Sequence, residues 1–251
     1  MTMKAKRRFL ALVGAVSVAA VLAMLPTQNA VADTGKYQPG ACTGNGACEG
    51  NTGLILSGAC TGDQSCVGNG SLIKKNSCTQ LTSCGENSAV IGRNSCTGLF
   101  SCISNMGRIG NWSCGEPGNS GMCFQNTGKI GNRACNENFS CDANKGKIGN
   151  NSCNGAGACG GGEKNVGKIG KNSCNGQGAC ANNKGKIKNN ACNGAFACLN
   201  NTGTIRSHSC NVDDSDECNN NDGVISNRKH HKKHKHDKKR KHHKWWTKYA
   251  D

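Results

Sequence analysis

Bulky apolar side chains are scarce in this chain. Aromatic residues make up 4% of its 251 positions, and only 3 prolines occur. Less aromatic and long aliphatic surface means less area to bury, so a single compact core is excluded for a chain of this length. Helical periodicity is also missing: no apolar 3.6-residue pattern appears, and frequent glycines would cost roughly 1 kcal/mol each in helix interiors. Catalytic signatures are absent too. There is no Ser-His-Asp set, phosphate-binding Gly loop, HExxH or paired-carboxylate arrangement, and the acidic residues of the body fall in no common register. The sequence therefore argues against an enzyme and asks for no cofactor.

Acidic residues are outnumbered, 15 against 31 Lys and Arg, but the imbalance sits at the ends. Residues 1–32 carry +4, residues 228–251 carry +9 and the body, 33–227, only +3. Arguments about charged partners thus belong first to the tail. The sole long apolar run, Phe9 to Leu25, follows Lys4, Lys6, Arg7 and Arg8 and precedes Ala30-Val31-Ala32. That order of basic, apolar and small residues reads as a signal peptide over 1–32, with the mature chain starting near Asp33. Arg7-Arg8-Phe9-Leu10 resembles a twin-arginine export motif but lacks its usual spacer, so the export route stays open. A secreted or cell-surface protein is expected, in a compartment where disulfides persist.

What the chain has instead is 20 cysteines and 36 glycines. The cysteines are spaced 6 and 12 apart in alternation, a C-x5-C-x11 unit of 18 residues, with three irregular gaps: Cys114 to Cys123, Cys159 to Cys174 and Cys210 to Cys218. Ile55, Ile73, Ile91, Ile109, Ile130, Ile148, Ile169, Ile187, Ile205 and Ile225 keep the same phase. Four residues before each Ile stands an Asn: Asn51, Asn69, Asn87, Asn105, Asn126, Asn144, Asn165, Asn183, Asn201 and Asn221. Gly stands two before Ile in eight of the ten, with Ser71 and Ala89 the exceptions. A fixed period of this kind marks a solenoid.

Ile, first Cys and second Cys divide the coil nearly into thirds. A three-sided coil would point each inward, giving a thin continuous core of one Ile and two Cys columns. Gly-rich corners would supply the positive φ of tight turns. The Asn amides would sit at a corner and stack into a hydrogen-bonded ladder. The expected fold is all-β: a β-solenoid of about ten 18-residue coils stapled by disulfides, about 45–50 Å long, of a hand the sequence does not specify. Extra residues belong in surface loops, placed at Glu116-Pro117-Gly118 and Gly160-Gly161-Gly162.

Asn-Ser-Cys-Asn-Gly at 151–155 and 172–176, each preceded by Gly-Lys-Ile-Gly, resembles uncharacterised secreted Cys/Asn/Gly-rich repeat proteins of environmental microbes over about 40–225. The resemblance implies a fold and no activity. The C-x5-C staple is similar to that of disulfide-rich insect antifreeze β-helices, whose ice face is a Thr-x-Thr array. Here Thr43, Thr61, Thr79 and Thr97 form only a single short column, which gives way to Gly115 and then to Asn136, Asn154, Asn175, Asn193 and Asn211. That departure argues against an ice face.

An even cysteine count suits a disulfide framework. Pairing within coils and pairing between neighbouring coils both lie within disulfide reach. The irregular gaps of 9 and 8 fall inside pairs, which favours the intra-coil set: Cys42–Cys48, Cys60–Cys66, Cys78–Cys84, Cys96–Cys102, Cys114–Cys123, Cys135–Cys141, Cys153–Cys159, Cys174–Cys180, Cys192–Cys198 and Cys210–Cys218. C-x5-C is not a zinc spacing. Asp213, Asp214, Asp216 and Glu217 form an acidic patch without the Gly and Glu of a calcium loop.

The tail, 228–251, is a like-charge block expected to stay disordered. Arg228, Lys229, Lys232, Lys233, Lys235, Lys238, Lys239, Arg240, Lys241 and Lys244 would hold a polyanion, with Trp245 and Trp246 adding interfacial affinity. His230, His231, His234, His236, His242 and His243 are candidate transition-metal ligands and would charge below about pH 6.5. Lys129, Lys147, Lys168 and Lys186, each directly before an Ile, would align on the stacked coils into a basic column. The function expected is a secreted, non-catalytic structural or adhesive rod anchored by its tail to cell wall, lipid or another polyanion. Nucleic acid is a less fitting partner for an exported chain. The alternatives are a solenoid face for ice, carbohydrate or mineral, and metal binding by the His-rich tail.

Overall fold

The computed structural model describes residues 35–160 and 165–226. The expected signal peptide, the tail and Gly161 and Gly162 of the second loop lie outside the described residues. Within them the chain is a β-solenoid of about ten turns with no helix. Its strands are two residues long: β1 (Lys36–Tyr37), β2 (Leu54–Ile55), β3 (Lys129–Ile130), β4 (Lys147–Ile148), β5 (Lys168–Ile169), β6 (Lys186–Ile187), β7 (Thr204–Ile205) and β8 (Val224–Ile225). All pairings are parallel, β1 on β2 and β3 through β8 in sequence order. Ile73, Ile91 and Ile109 bridge the two sheets as single paired residues, so one Ile column runs the length of the rod. At its start Tyr37 takes the Ile position and pairs with Ile55. On β3 to β6 the strand alternates, its Lys outward and its Ile inward.

The core is as thin as the sequence suggested. Ile55 through Ile205 and nearly all the cysteines are buried, with Met122 filling space beside Cys123. Ten disulfides join the two cysteines of each coil, spanning Cα separations of 5.7–5.9 Å, and no cysteine among the described residues is free. The ten Asn form an unbroken ladder. Each amide nitrogen donates to the Oδ1 of the preceding coil, from Asn69 to Asn51 up to Asn221 to Asn201, at 2.7–3.1 Å. Nine of the ten are fully buried. A ladder of that kind satisfies buried amides with one another, where an unmatched buried amide would cost about 1–3 kcal/mol.

The corners differ from expectation. Positive φ falls on the cysteines, nineteen of twenty lying between 54° and 62°, and not chiefly on glycine. The glycines flanking Ile serve close approach instead. A Cβ on Gly128 would collide with the carbonyl oxygen of Gly146, and one on Gly146 with that of Gly167. Gly131 is crowded in the same way by Asn150 and Gly149 of the next coil, with contacts of 2.5–2.7 Å. Cysteine can hold the left-handed corner because its side chain is tied inward. Glycine is needed where one backbone lies directly on the next.

The last coil provides a control, since a Cβ on Gly223 would meet nothing within 4 Å. Gly128→Ala should destabilise the solenoid by about 2–3 kcal/mol through overpacking, and Gly223→Ala by less than about 0.5 kcal/mol. Urea unfolding with disulfides intact, followed by circular dichroism, measures both. Equal shifts would show that the glycine column answers to something other than coil spacing.

Candidate functional site

The in-register pairing of β3 to β6 sets Lys129, Lys147, Lys168 and Lys186 side by side on one face, about 4.8 Å apart in backbone spacing. Arg108 extends the row by one coil, because Ile109 pairs with Ile130. A second row stands two residues earlier in each coil: Met106, Thr127, Lys145, Val166 and Lys184. Between the rows lie Gly107, Gly128, Gly146, Gly167 and Gly185, the glycines that coil stacking requires. The result is a shallow trough of about 790 Å³ with a floor free of side chains and seven cationic groups on its walls. No carboxylate lines it. The basic column was legible from the sequence. The glycines two before Ile were legible too, though not as a trough floor; the second row has no such signature, although the same 18-residue alignment contains it.

This face changes character along the rod. The positions before Ile55, Ile73 and Ile91 hold Leu54, Leu72 and Val90, and those before Ile205 and Ile225 hold Thr204 and Val224. Apart from Lys36, which stands in this column before Tyr37 and pairs with Leu54, the cations form one block in the middle and later coils.

A second feature gathers three departures from the repeat. Three residues after each Ile from Ile55 to Ile205 the backbone has positive φ, and the occupant is Gly or Asn in six of these nine coils. Trp112 and Arg133 break that rule in adjacent coils, with His208 the third exception. The Arg93 guanidinium lies 4.4 Å from the centroid of the Trp112 ring, and that of Arg133 5.5 Å. The exposed insertion Glu116-Pro117-Gly118 projects beside them, and a cleft of about 450 Å³ opens among Trp112, Glu116, Arg133 and Glu137. Both guanidiniums are within cation–π range of the ring, so it is already stacked.

The Asn column that replaces Thr is consumed internally. Asn154 accepts the Asn136 N–H at 3.3 Å and donates to the Arg133 carbonyl at 3.1 Å; Asn175, Asn193 and Asn211 repeat the scheme. These amides hold coils together and leave little to read a ligand. In the acidic patch, Asp213 accepts the Ala195 N–H at 2.8 Å. No group of three or more His, Cys, Asp or Glu that could hold a metal exists among the described residues. The tail cations from Arg228 to Lys244, Trp245, Trp246 and the six tail histidines fall outside the described residues.

One titrating group stands apart. Asp142 is half-buried and its Oδ1 is fully buried without a hydrogen-bond partner. Burial pushes its carboxyl up to about 6, opposed by the Ala143 N–H. The folded state therefore holds this proton more tightly than the unfolded chain does. The stability it contributes is complete below about pH 4 and is lost as pH rises towards 6. Asn219 occupies the same place in the last coil, directly after a second cysteine. Asp142→Asn should accordingly match the parent near pH 4 and exceed it by on the order of 2 kcal/mol near pH 7.5. Urea midpoints at the two pH values test this; a constant difference would remove Asp142 from the titration.

No helix among the described residues is long and apolar enough to cross a membrane, and the ten disulfides are consistent with an extracellular protein. No curated protein and no solved structure matches the chain. One family does, twice in succession, over residues 26–121 and 116–231. The two matches cover most of the solenoid, and the chain belongs to that family, described as a domain of unknown function, DUF7640.

Proposed function

We propose that this protein is a secreted, non-catalytic rod that adheres to an anionic surface such as a cell-wall polymer. The observation that carries the reading is the block of seven cations on one face with no carboxylate among them. Lys neighbours at strand spacing repel one another. An anionic partner laid on the face would relieve that repulsion and release bound counterions. The tail, with its net +9, adds an electrostatic anchor with its own pH response through six histidines. Scattered body carboxylates give no catalytic pair in support of an enzyme.

Cosedimentation of residues 33–251 and of 33–227 with purified cell walls tests the proposal. Binding of the longer chain should fall steeply between about 50 and about 200 mM salt and strengthen from about pH 7.5 to about pH 5.5. Removing the tail should weaken binding roughly tenfold or more and flatten the pH response, leaving a salt-sensitive remainder from the trough. Undiminished binding of the truncated rod would overturn the anchoring role of the tail. Salt-independent binding would overturn the electrostatic reading altogether.

A further inference from the structure

Resting on that polyanion reading, we infer that the trough binds a single chain of an acidic polysaccharide, bearing carboxylate or sulfate groups, laid parallel to the rod axis. The first argument is charge spacing. Arg108, Lys129, Lys147, Lys168 and Lys186 present one cation per coil, about 4.8 Å apart in backbone spacing. This matches a polymer carrying about one charge per sugar. Duplex DNA is much denser, with one charge per about 1.7 Å of axis.

Width is the second argument. The two rows stand two residues apart along the chain, at most about 7 Å, with glycine between them. Such a channel admits one extended chain, and its lengthwise run has no counterpart in a flat bilayer surface.

Wall chemistry is the third. Met106 and Val166 are 61% and 49% exposed, and Thr127 lies between Met106 and Lys145 in the same row. Aliphatic groups and a hydroxyl suit the C–H faces and hydroxyls of sugar rings. The trough has no aromatic side chain, whereas single-stranded nucleic acid is held by aromatic stacking platforms and membrane interfaces favour Trp and Tyr. Lysine predominates over arginine, giving mobile point charges that can follow successive anionic groups without fixed bidentate geometry.

The test uses the mature chain, 33–251, at about 150 mM salt to screen exposed charges. Binding is measured by affinity electrophoresis against polygalacturonate, dextran sulfate, duplex DNA and phosphatidylserine vesicles. Three variants are compared with the parent: Lys147→Gln with Lys168→Gln in the trough, Lys75→Gln with Lys171→Gln outside it, and Met106→Ser with Val166→Ser. All are surface changes, and circular dichroism with thiol counting checks the fold. The trough lysine pair should lose roughly tenfold in affinity for one or both polysaccharides, and the control pair less than about twofold. The Met106 and Val166 pair should lose a few-fold on polysaccharide and nothing on DNA. Preference between polygalacturonate and dextran sulfate then assigns carboxylate or sulfate. Equal losses in the two lysine pairs, or losses on DNA or vesicles as large as on polysaccharide, would overturn the inference while leaving a polyanion-binding rod. Binding to none of the four probes would overturn both.

Discussion

The whole architecture depends on how closely successive coils approach. Each coil donates backbone N–H groups directly to the next, as from Lys129 to the Gly146 carbonyl at 3.0 Å and from Cys141 to that of Ala158 at 2.9 Å. At that distance there is no room for a Cβ where one backbone crosses another, so glycine columns follow from the spacing. The same distance puts the Asn amides within hydrogen-bonding range of their copies above and below. It also fixes the interval between outward side chains. Ladder, glycine columns and the interval of the basic row are therefore three consequences of one repeat distance.

The disulfides have a narrower role than their number suggests. Each closes a short loop and should contribute about 2–3 kcal/mol. Nearly all of the cysteines they join adopt the left-handed region, at about 1–2 kcal/mol per residue. For a pair, the two amounts roughly cancel. The staple thus holds each corner in a shape the chain would otherwise leave, and the net stability has to come from stacking. That is the energetic pattern of a solenoid, in which neighbour interfaces and not single units carry the fold.

Much of this could be read in the sequence because the period of 18 samples every position about ten times. Ile, Asn and Cys keep phase, and phase alone was enough to place Ile and Cys inward and to stack the Asn as a ladder at a corner. The glycines were misassigned to corners because positive φ is the commoner reason for glycine. Their partners lie 18 residues away, and only stacked coils reveal the carbonyl that excludes a Cβ. The second trough row is not legible in the sequence for a related reason. Met106, Thr127, Lys145, Val166 and Lys184 share no chemistry, so the column has no compositional signature until the fold lines it up. Trp112 and Arg133 were likewise invisible as a pair, since they are 21 positions apart in the chain and stacked in space.

Packing does not explain where the lysines are. The position before Ile faces outward in every coil, and Leu54, 43% exposed, pairs there in the same parallel manner as Lys147. A leucine, a valine or a threonine satisfies the backbone equally well, as Leu54, Leu72, Val90, Thr204 and Val224 demonstrate. The fold therefore permits the cationic block without requiring it. Placing four lysines and an arginine on consecutive coils carries a cost in like-charge repulsion that interspersed carboxylates would have removed. Carboxylates occur elsewhere on the rod, at Glu86, Glu116 and Glu137, so the composition did not prevent their use. A surface charge pattern that the fold does not need, and that slightly destabilises it, is what the proposed anionic partner would compensate.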